Sequence, residues 1–194
     1  MIILASGSWL RKTILESSEY VFKVDNKEID ERLIESKNKD KSDQDLAILL
    51  AKEKVKKIAK YHPNDLVIAA DTFAVLPTGE RLHKPKSEEE AIELCMMQSG
   101  KEISAVTGIA MAYGNEIITN TSTTKIKYVK FDRKTITKLL DGDDARIRNS
   151  GLGFFMDSPG FTLVQNFDGS YTGAMGLPME IVRKNIKTLK YKNV

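Results

Sequence analysis

The order of apolar and polar positions predicts a chain in which strands and helices interleave. Residues 1–5, Met-Ile-Ile-Leu-Ala, form an apolar run the size of one buried strand. Ser6-Gly7-Ser8 follows, and Ser8 stands where it can cap a helix over 9–18. Residues 21–24 suggest a second short strand, and the charged stretch 25–43 reads as a loop. Ser42 then caps a helix over 43–60, with an apolar stripe of Ala47, Leu50, Ala51, Val55 and Ile58. Residues 65–76 are the most apolar segment and read as a central strand covered on both faces. After a turn at 77–80, Ser87 and Glu90 make a capping box for a helix that stops at Ser99-Gly100. Residues 102–113 read as a strand, interrupted at Thr107-Gly108 by a bulge or by the close approach of another backbone. Gly114-Asn115 signals a hairpin, and 116–131 return as one or two strands. Asp132 opens a helix ending near Gly142, 146–153 read as a loop, and 154–167 hold a short strand. The glycine-rich stretch 169–178 precedes a last helix over 179–191. The order is that of a mixed α/β fold.

Three residues break this pattern, and each break points to chemistry. Lys54 falls in the apolar stripe of its helix, four after Leu50 and four before Ile58, so it must snorkel, pair or meet a ligand. Asp71 interrupts the most apolar strand, where a carboxylate is costly unless it is paired or coordinated. Arg11 occupies the first turn of a helix, against the helix dipole, which suits an anion bound at that terminus or an exposed side chain that tolerates the cost.

Composition narrows the classes. The 194 residues carry 30 basic and 27 acidic side chains, a near balance that excludes a disordered charged tail. Of the 30 basic residues 23 are Lys and 7 are Arg, so each Arg is a candidate for planar phosphate recognition. A net charge of +3 is too mild for DNA wrapping, and no aromatic and basic stacking pattern accompanies it, so no nucleic-acid partner is expected. One cysteine, Cys95, excludes an internal disulfide and reads as a core filler, while two histidines disfavour a His-rich metal site. No apolar run reaches the roughly 20 residues of a membrane span, and the apolar N-terminus lacks a basic flank, so a cytoplasmic setting without a membrane partner is expected. The oxygen-bearing candidates, Asp71 and the Glu28, Asp30 and Glu31 group, suit Mg²⁺ or Mn²⁺. No P-loop is present.

Nine short motifs then fall in one order. Leu4-Ala5-Ser6-Gly7-Ser8-Trp9-Leu10-Arg11 resembles the L-A-S-x-S-P-R-R opening of the Maf family of nucleoside triphosphate pyrophosphatases. Ile29-Asp30-Glu31, Leu50-Ala51-Lys52-Glu53-Lys54, Ala70-Asp71-Thr72 and Lys84-Pro85 are similar to the family's I-D-E, L-A-x-x-K, A-D-T and K-P. Ser99-Gly100, Thr107-Gly108, Gly169-Ser170-Tyr171 and Gly176-Leu177-Pro178 match its later motifs. The resemblance runs from Leu4 to Pro178 and implies one Maf-like domain over 1–194. It implies an α/β fold like that of inosine triphosphate pyrophosphatase, with an elongated mixed sheet flanked by helices and two lobes around a central cleft. It implies hydrolysis of a nucleoside triphosphate to the monophosphate and pyrophosphate, with a divalent metal, in a cytoplasmic enzyme that is often a homodimer. Carried over residue by residue, Asp71 is the general base and a metal ligand, with Glu31 as a second ligand. Arg11, Lys54 and Lys84 hold phosphates, Ser6 and Ser8 assist with backbone amides, and Thr72 sits by the base or sugar.

The departures bear on the substrate. Leu10 stands where the family has a second Arg, and Trp9 where it has Pro. Ser150-Gly151 replaces the family's A-G, and Met156 aligns with a Gln or Glu that helps choose the base. The Thr72 form of the A-D-T motif points to the branch acting on dTTP and UTP, while Leu10 and Met156 leave a broader or shifted base preference open. The alternative is a nucleotide-binding, division-linked regulatory protein with little turnover, motivated by Leu10.

Overall fold

The computed structural model describes residues 1–141, 159–189 and 191. Strands β1 (Ile2–Leu4), β2 (Phe22–Val24), β3 (Leu66–Val75), β4 (Arg81–Leu82), β5 (Glu102–Tyr113), β6 (Glu116–Tyr128) and β7 (Val164–Asp168) form one mixed sheet. Its order is β2-β1-β3-β5-β6-β7, with β4 paired to β3. The helices are α1 (Trp9–Glu16), α2 (Glu31–Ser36), α3 (Asp43–Ala59), α4 (Glu88–Gln98), α5 (Arg133–Asp141), α6 (Tyr171–Ala174) and α7 (Met179–Thr188). Among the described residues no helix is long and apolar enough to cross a membrane.

The residues divide into two compact units. The first holds Met1–Thr72, Val106–Ser122 and Thr172–Val194. Here β1 pairs in parallel with both β2 and β3, with Leu4 opposite Val24 and Ile68. Parallel neighbours need crossovers, and α1 supplies the one from β1 to β2. Side-chain alternation sorts the strand residues between two apolar layers. Ile2, Leu4, Leu66, Ile68 and Ala70 pack with Leu15 of α1 and Val182 of α7. Ile3, Ala5, Val67 and Ala69 pack with Ala51, Val55 and Ile58 of α3. Both faces of the apolar strand are covered, as its composition requires.

Gly108 lets α3 lie close against β5. A Cβ there would stand 2.2 Å from the carbonyl carbon of Ala47, so the Thr107-Gly108 interruption is a close approach, and β5 runs through it.

The second unit holds Phe73–Ala105 and Thr123–Tyr171. In it β4 pairs antiparallel with β3 and β7 with β6, with Ala74 opposite Leu82 and Ile126 opposite Phe167. An ion pair between Arg133 and Glu89 joins α5 to α4. Cys95 is buried on α4, and burial pushes its thiol pKa up to about 12, which keeps it a protonated core filler.

The structure differs from the sequence expectations at several elements. The stretch 25–43 contains α2, capped by the Asp30 carboxylate, which accepts from the Leu33 amide at 2.9 Å. This helix buries no residue, so it leaves no apolar period to detect. Residues 116–131 hold one strand, and the strand expected within 154–167 is Val164–Asp168, after a 3-10 turn at Pro159–Leu163. The glycine-rich stretch contains the single turn of α6. The loop at 146–153, the Ser150-Gly151 pair and Met156 lie outside the described residues.

Candidate active site

Ligands in open α/β sheets bind beyond the carboxyl ends of parallel strands, where the strand order reverses. In the order β2-β1-β3 that point lies between β1 and β3, and Ser6 to Ser8 and Asp71 follow the paired segments Ile2–Leu4 and Leu66–Ile68. Alternation along β3 does the rest. Asp71 shares the register of Val67 and Ala69 and points to the α3 side, whereas Thr72 shares that of Ile68 and Ala70 and points to the α1 side.

On the α3 side, the Lys54 ammonium donates to Asp71 Oδ1 at 2.5 Å and meets Glu31 Oε1 at 2.7 Å. The Lys54 and Asp71 side chains are 15% and 10% exposed, while Glu31 is 49% exposed. The Lys on the apolar stripe is therefore paired, by a carboxylate from a strand and another from α2. Both carboxylates meet at the Lys54 ammonium. They are hard oxygen donors, and Mg²⁺ is commonly held by one or two carboxylates, with water and substrate phosphates completing the octahedron. The pair fits that group. Among the described residues no set of three His, Cys, Asp or Glu side chains converges.

On the α1 side, Ser8 caps α1 and its hydroxyl accepts from the Arg11 amide at 3.5 Å. The Arg11 side chain is half-buried, and its guanidinium is held by three partners. Nη1 donates to Ser6 Oγ at 3.1 Å, Nη2 to Thr72 Oγ1 at 3.1 Å, and Nε to the Gly176 carbonyl at 2.9 Å. Burial lowers the Arg11 pKa from its ordinary value, and the negative charges of Asp71 and Glu31 raise it. It stays protonated, as a guanidinium does. Gly176, at φ +99°, presses on this group, because a Cβ there would lie 3.1 Å from both Arg11 Nε and Thr72 Oγ1.

Ser6, Ser8, Arg11, Glu31, Lys54, Asp71 and Thr72 thus belong to the first unit and are linked by direct contacts on two faces of one strand. Lys84 belongs to the second unit, exposed after β4. Leu10 is half-buried on α1, and Trp9 is 54% exposed beside it. Sequence reasoning missed two features. One is the helix that carries Glu31, for which Asp30 followed by an acidic first turn was the available signal. The other is Thr107, whose hydroxyl lies 2.9 Å from that of Thr72.

The profile of the family described as Maf-like protein matches residues 1–189. The chain belongs to the Maf family. Two Maf-type relatives are close in length to this chain. A dTTP/UTP pyrophosphatase of Pyrococcus abyssi is 33% identical, covering 96% of this chain and 95% of its own. A dTTP/UTP pyrophosphatase of Pyrococcus furiosus is 34% identical, covering 96% and 94%. Among solved structures, the Staphylococcus aureus Ham1 protein aligns with 66% of the Maf chain and 71% of its own, at 18% identity and a TM-score of 0.44.

Proposed function

We propose that this chain is a nucleoside triphosphate pyrophosphatase, which cleaves between the α and β phosphates with a divalent metal. The observation that carries the reading is the Lys54 ammonium held between Asp71 and Glu31 on one face of β3, with Arg11 bonded to Thr72 on the other, in a chain of the Maf family. Two cations and two carboxylates around β3 are what hydrolysis of a phosphoanhydride requires: charge to hold the phosphates, oxygens for a metal, and a base. The names of the relatives support dTTP and UTP as substrates.

In this reading Glu31 and Asp71 hold a Mg²⁺ or Mn²⁺ ion, which when bound supplies charge neutralisation on the triphosphate oxygens. Arg11 and Lys54 bind phosphate oxygens, with Ser6, Ser8 and the amides at the start of α1 completing the cradle. Asp71 takes a proton from water at its carboxylate oxygen as the water oxygen bonds to the α phosphorus. The bond from that phosphorus to the bridging oxygen then breaks, and pyrophosphate leaves with the electron pair. Thr72 lies towards the base or sugar. The reading takes 1–194 as one domain that works as a cytoplasmic homodimer.

The test is a panel of canonical and modified nucleoside triphosphates assayed for pyrophosphate, with Mg²⁺, Mn²⁺ or excess chelator. Release from dTTP or UTP that stops on chelation is the expected result. Asp71→Asn should lose about 10²–10⁴-fold in kcat while keeping a folded circular dichroism spectrum. Full activity in that variant overturns the base assignment. Tight nucleotide binding without product would support a regulatory nucleotide-binding protein instead.

A further inference from the structure

Thr107 is fully buried on β5, in the register of Ile109 and Met111, and so on the same side of the sheet as Thr72. Its hydroxyl donates to the Gly173 carbonyl at 2.8 Å. A hydroxyl has one proton. With that proton given to Gly173, the 2.9 Å contact between Thr107 and Thr72 must be a bond that Thr72 donates and Thr107 accepts. Thr72 then accepts from Arg11 Nη2 at 3.1 Å. The result is a chain with one direction, from Arg11 through Thr72 and Thr107 to Gly173. Its two ends return to the same short turn, because Arg11 Nε donates to Gly176 and the Gly176 amide donates to Gly173 at 2.9 Å.

We propose that Thr107 is a positioning residue, which fixes the pose of Arg11 towards a triphosphate by orienting the Thr72 hydroxyl and holding the turn at Gly173–Gly176. The proposal rests on the activity read above. It assigns no contact between Thr107 and substrate. Without the Thr107 oxygen, the Thr72 proton is free to turn towards Arg11, where it would oppose the Nη2 donor. The guanidinium then loses one of its three anchors, and the turn loses its bond to β5.

The experiment compares full-length Thr107→Val, which keeps the shape and removes the hydroxyl, with Thr107→Ser, which keeps the hydroxyl. Two readouts are taken: kcat/KM for dTTP, and solvent exchange of the Arg11 Nε proton by NMR without nucleotide, assigned against Arg11→Lys. Thr107→Val is expected to speed that exchange and to lower kcat/KM, each by about tenfold, the worth of one hydrogen bond. Thr107→Ser is expected to stay within about threefold of the parent in both. Unchanged exchange in Thr107→Val overturns the proposal, as does equal impairment of the Ser and Val variants. If the parent protein releases no pyrophosphate, the activity reading fails, and the exchange comparison still decides the role of Thr107.

Discussion

Lys54→Met keeps the length of the side chain and removes the charge that two carboxylates share. In the native site the ammonium lies 2.5 Å from Asp71 Oδ1, which at an effective dielectric constant of about 20 is about 7 kcal/mol of gross attraction. Desolvation of both ions cancels most of that. Removing one partner is another matter, because Asp71 is then left with 7% of its surface exposed and no ammonium at its oxygen. Orphaning a buried charge costs about 3–5 kcal/mol. The low end applies here, since Lys54 keeps 15% of its side-chain surface and Glu31 is half in water. About 3 kcal/mol corresponds to a fall of about 6–12 °C in Tm for a chain of this size. Lys54→Met/Asp71→Asn, which leaves no orphan, should recover at least about half of that fall. Thermal unfolding of the two single variants, the double variant and the parent measures all four corners. The reasoning is refuted if Lys54→Met melts within about 2 °C of the parent, or if the double variant melts below Lys54→Met.

Two further predictions concern other parts of the first unit. Gly108→Ala should abolish soluble expression or lower Tm by about 6 °C or more, because its Cβ would enter the α3 backbone at Ala47, which cannot move aside as a side chain could; a variant that melts like the parent removes the close-approach argument. The His62 ring, bonded to Asp25 at 2.9 Å, holds the Asp25 carboxyl below its ordinary pKa of 3.8. A depressed carboxylate stabilises the fold above 3.8, and that contribution is lost as the pH falls through its folded pKa. Asp25→Asn should therefore melt slightly below the parent at pH 7, with the gap closing below pH 3.8; a gap that widens on acidification contradicts the assignment.

Much of the site is legible in the amino-acid order, because its residues are misfits. A lysine on an apolar stripe, an aspartate in an apolar strand and an arginine in the first turn of a helix each violate a local rule, and such violations gather at functional sites. The strands and long helices are legible for the ordinary reason that they bury periodic apolar faces. The helix α2 is not, since it buries nothing. Thr107 is visible only as half of a short motif, since a threonine in a strand violates no rule.

The order of residues alone settles which charges need partners, since burial of Lys54 and Asp71 follows from their apolar neighbours. It does not say which partner each takes. The fold decides that. The two-residue period of β3 sends Asp71 towards α3 and Thr72 towards α1, and the parallel pairing of β1 with β3 brings Arg11 to Thr72 across 61 residues of chain. Direction of a hydroxyl proton is further still from sequence. Thr72 donates because Thr107 is already spent on Gly173, and that follows from three groups, far apart in sequence, meeting at one point.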